Sequence, residues 1–219
     1  MDRPLKLSEY MIASPARRRS ILVDQKRPRD FITSIYRNAY TAIKDCICRP
    51  DDPHVLGKHR SRLQRLARGS EHEAQNATLC LEALAAFEAF DDRIPLNGSV
   101  AVWAERSLPK ITRSGVQISV QPDLVLSGPN YRGKPYIGAI KLCFSKTRVV
   151  ENVEAAYTGA VLRQYMERFA TNGEEIPRNF CFVVDVFAQR IHVAPQAHKQ
   201  RLKEVQVACE EIAARWPGL

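Results

Sequence analysis

Apolar side chains recur at helical spacing through the first ninety residues and at alternating spacing after about residue 100. Phe31, Ile32, Ile35, Tyr36, Ala39, Tyr40 and Ile43 predict an amphipathic helix that ends near Cys48, where Arg49-Pro50-Asp51-Asp52-Pro53 breaks the pattern. A second helix is expected from His54 to Arg68. Its inner face carries Leu56, Leu63, Leu66 and Ala67, cations surround it, and Gly69 ends it. Ser70 followed by Glu73 is a capping-box pattern that starts a third helix over 71–90. Further upstream, Ser14 is placed to cap a short helix with Pro15 at its first position.

Beyond the loop at 91–98 the period shortens. Val100–Trp103, Val116–Val120 and the run Pro122–Leu126 read as strands, the second by strict alternation. Gly128, Pro129 and Asn130 mark a hairpin connection into a strand over 136–144. A helix over 152–169, strands over 180–187 and 190–193, and a closing helix over 195–216 complete the pattern. The expected class is α/β (α+β), a central mixed sheet flanked by helices. The division is a basic helical region, residues 1–70, and an α/β core, residues 71–219.

At 219 residues, with 45% hydrophobic and 26% charged side chains, the chain has the means to build one substantial core. No apolar run is long enough to cross a bilayer, and Arg17, Arg18 and Arg19 occupy the region where a secretory signal needs its apolar segment. A cytoplasmic location and no membrane partner are therefore expected. The six cysteines are scattered, as free thiols in a reducing compartment are. Cys46 and Cys48 with His54 and His59 match no standard zinc spacing. The net charge of +9 is informative once located: residues 1–70 hold 16 Lys and Arg against 7 Asp and Glu, and the remainder holds 17 of each. Such a concentrated basic segment attracts polyanions.

The chemistry centres on Pro122-Asp123 and Ala139-Ile140-Lys141. On adjacent antiparallel strands, Asp123 and Lys141 would share one cleft, where a hard carboxylate suits Mg²⁺ or Mn²⁺ and an ammonium orients water or offsets negative charge. The order helix, strand, Pro-Asp strand, x-x-Lys strand, helix, strand resembles the PD-(D/E)XK nuclease superfamily over about residues 71–193. That resemblance implies a restriction-endonuclease-like sheet and a divalent-metal-dependent nuclease. In its terms Asp123 is a metal ligand, Lys141 lies beside the attacking water, and the Ile140 carbonyl completes the metal shell.

The resemblance departs at Ala139, where the family carries an acid. Three explanations stand: a catalytically inactive relative or knockout; an acid migrated to the following helix, at Glu154 or else Glu151; or an acid from the preceding helix, at Glu73 with Glu71 and Glu82 as neighbours. Gln164 is a further candidate, matching the family's helix glutamine in part. Backbone phosphates are expected on Arg17, Arg18, Arg19, Lys26, Arg27, Arg29, the basic helix around Arg62, and Lys146. His192 and His198 are weaker candidates for approaching a substrate. The expected partner is nucleic acid, DNA ahead of RNA; an inactive relative would bind nucleic acid or a protein partner, and a homodimer is left open.

Overall fold

The computed structural model describes residues 4–27, 35–105, 109–130 and 132–219. Among the described residues, seven α-helices and seven strands run in the order α1 (Pro4–Ile12), α2 (Pro15–Lys26), α3 (Arg37–Cys48), α4 (His54–Leu66), α5 (Glu71–Glu88), β1 (Val100–Trp103), β2 (Ile111–Arg113), β3 (Val116–Ile118), β4 (Leu124–Pro129), β5 (Pro135–Cys143), α6 (Asn152–Phe169), β6 (Cys181–Asp185), β7 (Arg190–Val193) and α7 (His198–Arg215). The mixed α+β class follows directly.

Five strands form one sheet in the order β1-β4-β5-β6-β7. All its pairings are antiparallel except β5 with β6, which run parallel because α6 carries the chain back between them. Alternation along β5 sorts its side chains into two cores. Tyr136, Ile140 and Leu142 pack with α3, α4 and α5 on one face, while Ile137 and Ala139 pack with α1, α2, α6 and α7 on the other. The helices of residues 1–70 are thus divided between the two faces. Gly138 permits the closest backbone approach, since a Cβ there would fall 2.1 Å from the Phe180 carbonyl oxygen.

Local signals explain most of the boundaries. The Ser14 side chain accepts the Arg17 N–H at the start of α2, and Ser70 with Glu73 closes the capping box of α5. Phe31, Ile32 and Arg29 lie outside the described residues. Helix α1 and strand β2 go beyond the sequence expectation, which included β3 within Val116–Val120. Helix α1 is fixed by burial of Leu7 and Tyr10. Strands β2 and β3 form a separate ribbon that buries Ile111 and Ile118. Their two-residue turn uses Ser114 and Gly115, with φ of 46° and 77°, as a tight hairpin requires. Among the described residues no helix is long and apolar enough to cross a membrane.

Candidate functional site

The register of β4 and β5 decides the geometry at the Pro-Asp segment. Leu124 pairs with Ile140, so Asp123 stands opposite Lys141, and its N–H donates to the Ile140 carbonyl at 2.8 Å. Lys141 shares the β5 face of Ala139, and its Nζ reaches Asp123 Oδ1 at 2.9 Å. The expected juxtaposition of these two side chains is present.

Asp123 is only 4% exposed, and its carboxylate is already enclosed by donors. Oδ1 also accepts the Tyr40 hydroxyl from α3 at 2.6 Å, and Oδ2 accepts the Leu142 N–H at 2.6 Å. Lys141 donates a second bond to the Gln121 carbonyl at 2.9 Å. Behind Tyr40, the Lys44 ammonium lies 4.9 Å from the Tyr40 ring centroid and 3.8 Å from that of Trp103. The set ties the end of β4 to β5 and α3 at once. Charge-assisted bonds of this kind are short and strong, which is why a buried carboxylate is tolerated here.

Ala139, at the position where an acid would complete a metal pair, is fully buried between Val125 and Cys181 on the neighbouring strands. It belongs to the core beneath α6 rather than to a cleft. Glu154 occupies the first turn of α6 and is also fully buried. Both its oxygens are taken by Arg148, at 2.7 Å each. Burial raises the Glu154 carboxyl above the usual range, and the Arg148 guanidinium opposes that rise. On the far side of Arg148, at 3.8 Å, is Glu9 of α1. Burial raises the Glu9 carboxyl too, but bonds from Lys6 and Arg17 outweigh it and hold Glu9 below its ordinary value. Thr158 of α6 shares a buried hydrogen bond of 2.8 Å with Ser8 of α1.

The fit of a divalent cation can be judged from these partners. Mg²⁺ needs several hard oxygens in near-octahedral array. Asp123 meets three donors, the Ile140 carbonyl accepts a ladder bond, and Glu154 is closed by Arg148. Among the described residues, no group of three or more His, Cys, Asp and Glu is placed to hold a metal ion. The residues as arranged do not fit the cation.

The other predicted site residues are dispersed. Glu73 is exposed at the start of α5 and spends its carboxylate on the Ser70 N–H and hydroxyl. Gln164 lies ten residues after Glu154, about 15 Å along the helix, and accepts a bond from Arg113 of β2 at 2.9 Å. His192 pairs in register with Val183, which pairs with Lys141, so it stands two strands across in the same row. Its Nε2 is buried without a hydrogen-bond partner, and burial lowers its pKa. His198 lies 3.4 Å from Glu167. At the suggested zinc cluster, His59 bonds Asp45 at 2.8 Å, and burial pushes the Cys46 thiol up to about 11.

The predicted phosphate-binding cations separate into two kinds. Arg17 is bound to Glu9, and Arg18 caps the end of α1 through the Tyr10, Met11 and Ala13 carbonyls while also reaching Glu211. Lys26 holds the carbonyls of Trp216 and Leu219, and Lys146 pairs with Glu82 at 2.6 Å. Arg19, Arg27 and Arg62 are exposed, and Arg29 lies outside the described residues. Sequence reasoning missed Glu9, Tyr40 and the pairing of Arg148. The spacing of Leu7, Tyr10 and Met11 would have placed Glu9 on a helix, but nothing local points to its partners.

No protein-family model matches the chain, and no curated protein matches it.

Proposed function

We propose that the chain is a nucleic-acid-binding protein built on a PD-(D/E)XK-like sheet, in which the hydrolytic centre has become a structural ion pair. The order α5, β1, β4, β5, α6, β6, with three antiparallel strands and a parallel fourth, supports the likeness of scaffold. The observation that carries the loss of chemistry is the enclosure of Asp123 by Tyr40, Lys141 and Leu142, with fully buried Ala139 where a second acid is needed. Lys141 then balances a buried carboxylate instead of orienting water. A carboxylate placed at Ala139 would lie in an apolar core, where an unpaired charge costs several kcal/mol. Nucleic acid is favoured as partner by the surplus of cations in residues 1–70.

One observation favours a second reading, divalent-metal-dependent hydrolysis. Glu154 follows Lys141 by thirteen residues and lies on the α6 side of the sheet, where a migrated acid would belong. It requires Arg148 to leave Glu154. Incubation with single-stranded and duplex DNA and RNA, with Mg²⁺ or Mn²⁺, separates the two readings. Metal-independent binding without cleavage supports the first. Cleavage that is lost in both Asp123→Asn and Glu154→Gln establishes the second.

A further inference from the structure

The N-terminal helices and α4 are both rich in cations, yet their surroundings differ. Helix α4 contains no Asp or Glu from His54 to Leu66. Its inner side buries Val55 and Leu63, and Arg60 is turned toward Glu88 of α5. Lys58, Arg62 and Arg65 follow at i, i+4 and i+7, which places them on one solvent-facing stripe, and exposed Arg68 extends it past the helix end. None of these four cations forms a salt bridge among the described residues. The acids nearest in sequence flank the stripe: Asp51 and Asp52 precede it, and Glu71 and Glu73 follow, with Glu73 committed to its cap.

Resting on the nucleic-acid reading above, we infer that the phosphate backbone docks on this outer face of α4, through Lys58, Arg62, Arg65 and Arg68, rather than on α1 and α2. From residue 58 to residue 65 the helix rises about 10 Å. Over that length a duplex carries about six phosphate charges on its two strands, so the three cations of the row would answer about half of them. Exposed Ser61 and Gln64 add hydrogen-bonding groups between the cations. Among the described residues, the large exposed apolar side chains lie elsewhere, at positions such as Val23, Val100 and Val207. An interfacial membrane helix needs an apolar face, and a protein interface commonly needs an aromatic or apolar anchor. The α4 stripe offers charge and polar groups alone, which suits a phosphate backbone without sequence-specific reading.

The test is fluorescence anisotropy of a short labelled DNA duplex, and of the single strand of equal length, between about 50 and 200 mM KCl. The variant carries Lys58→Gln, Arg62→Gln, Arg65→Gln and Arg68→Gln together; Gln keeps good helix propensity, and circular dichroism verifies the fold. Its affinity is expected to fall at least about tenfold, and the slope of log K against log salt to flatten by about three. Lys199→Gln with Lys203→Gln, which alters exposed cations of α7, is expected to leave affinity within about twofold. Wild-type affinity and slope in the α4 variant would overturn the docking surface while leaving nucleic-acid binding intact. Failure of the wild-type chain to bind DNA or RNA, or tighter binding to polyglutamate or anionic vesicles, would overturn both.

Discussion

Helices α1 and α2 and helix α4 carry similar cations to different ends. In the first pair, Arg17 and Arg18 are bound to acids and carbonyls and join α1 to α2, while Arg18 and Lys26 also reach the C-terminal segment. In α4, Arg60 is answered by Glu88, whereas Lys58, Arg62 and Arg65 face solvent with no acid in the helix to answer them. The contrast shows that a basic segment signals a polyanion partner only after its internal partners have been subtracted. Charge enclosed by the protein's own acceptors holds the fold; charge left in water is available to a ligand.

The largest effect should come from the network behind α1. Arg148→Met leaves the Glu154 carboxylate buried without its partner, and a loss of about 2–4 kcal/mol is expected in urea unfolding, toward the lower range for a broken buried pair because Arg148 reaches solvent. Asp123→Ala should cost about 2–3 kcal/mol, since the Leu142 N–H, the Tyr40 hydroxyl and Lys141 all lose an acceptor. Arg18→Ala, which strips the α1 carbonyls of their cap, should cost about 1–2 kcal/mol by the same measurement, with duplex affinity unchanged. The α4 glutamine variant should reverse this signature, with unfolding free energy within about 0.5 kcal/mol of wild type and affinity lost. A stability loss there as large as that of Arg18→Ala would erase the distinction between the two regions.

The smallest effect concerns pH. His192 has its folded pKa lowered by burial, so between that value and the ordinary 6.5 the unfolded chain binds more protons. Its contribution to stability is present above 6.5 and is lost as pH falls. Urea midpoints measured from pH 7.5 down to 5 should therefore decline less steeply in His192→Gln than in wild type. An identical slope would show that His192 is solvated as in the unfolded chain.

Local chemistry made much of the fold legible. Asn152–Phe169 and Arg190–Val193 emerge with the bounds their periodicity predicts, and Ser70 with Glu73 starts α5. The alternation of Val116–Val120 marks β3, whereas its partner β2 is three residues long, too short to show a period, and emerges only from its pairing across the Ser114-Gly115 turn. The site was legible only as far as neighbouring strands specify it. Asp123 and Lys141 are set opposite by one hairpin, so residue types and spacing suffice. The partners that determine what they do come from far along the chain: Tyr40 to Asp123, and Glu9 to Arg148 beside Glu154. Such pairings depend on how helices stack on the sheet, and no period or spacing encodes them. Ala139 illustrates the same limit, since sequence shows an alanine where the resemblance expects an acid but only the packing of α6 shows the position to be core.

Titration of the chain with Mn²⁺, followed by electron paramagnetic resonance of the unbound ion, addresses the enclosed carboxylates directly. No saturable stoichiometric binding is expected at millimolar metal, in wild type or in Asp123→Asn. One-to-one binding that disappears in Asp123→Asn and in Glu154→Gln would contradict a structural role for the Asp123–Lys141 pair and return the sheet to hydrolytic chemistry.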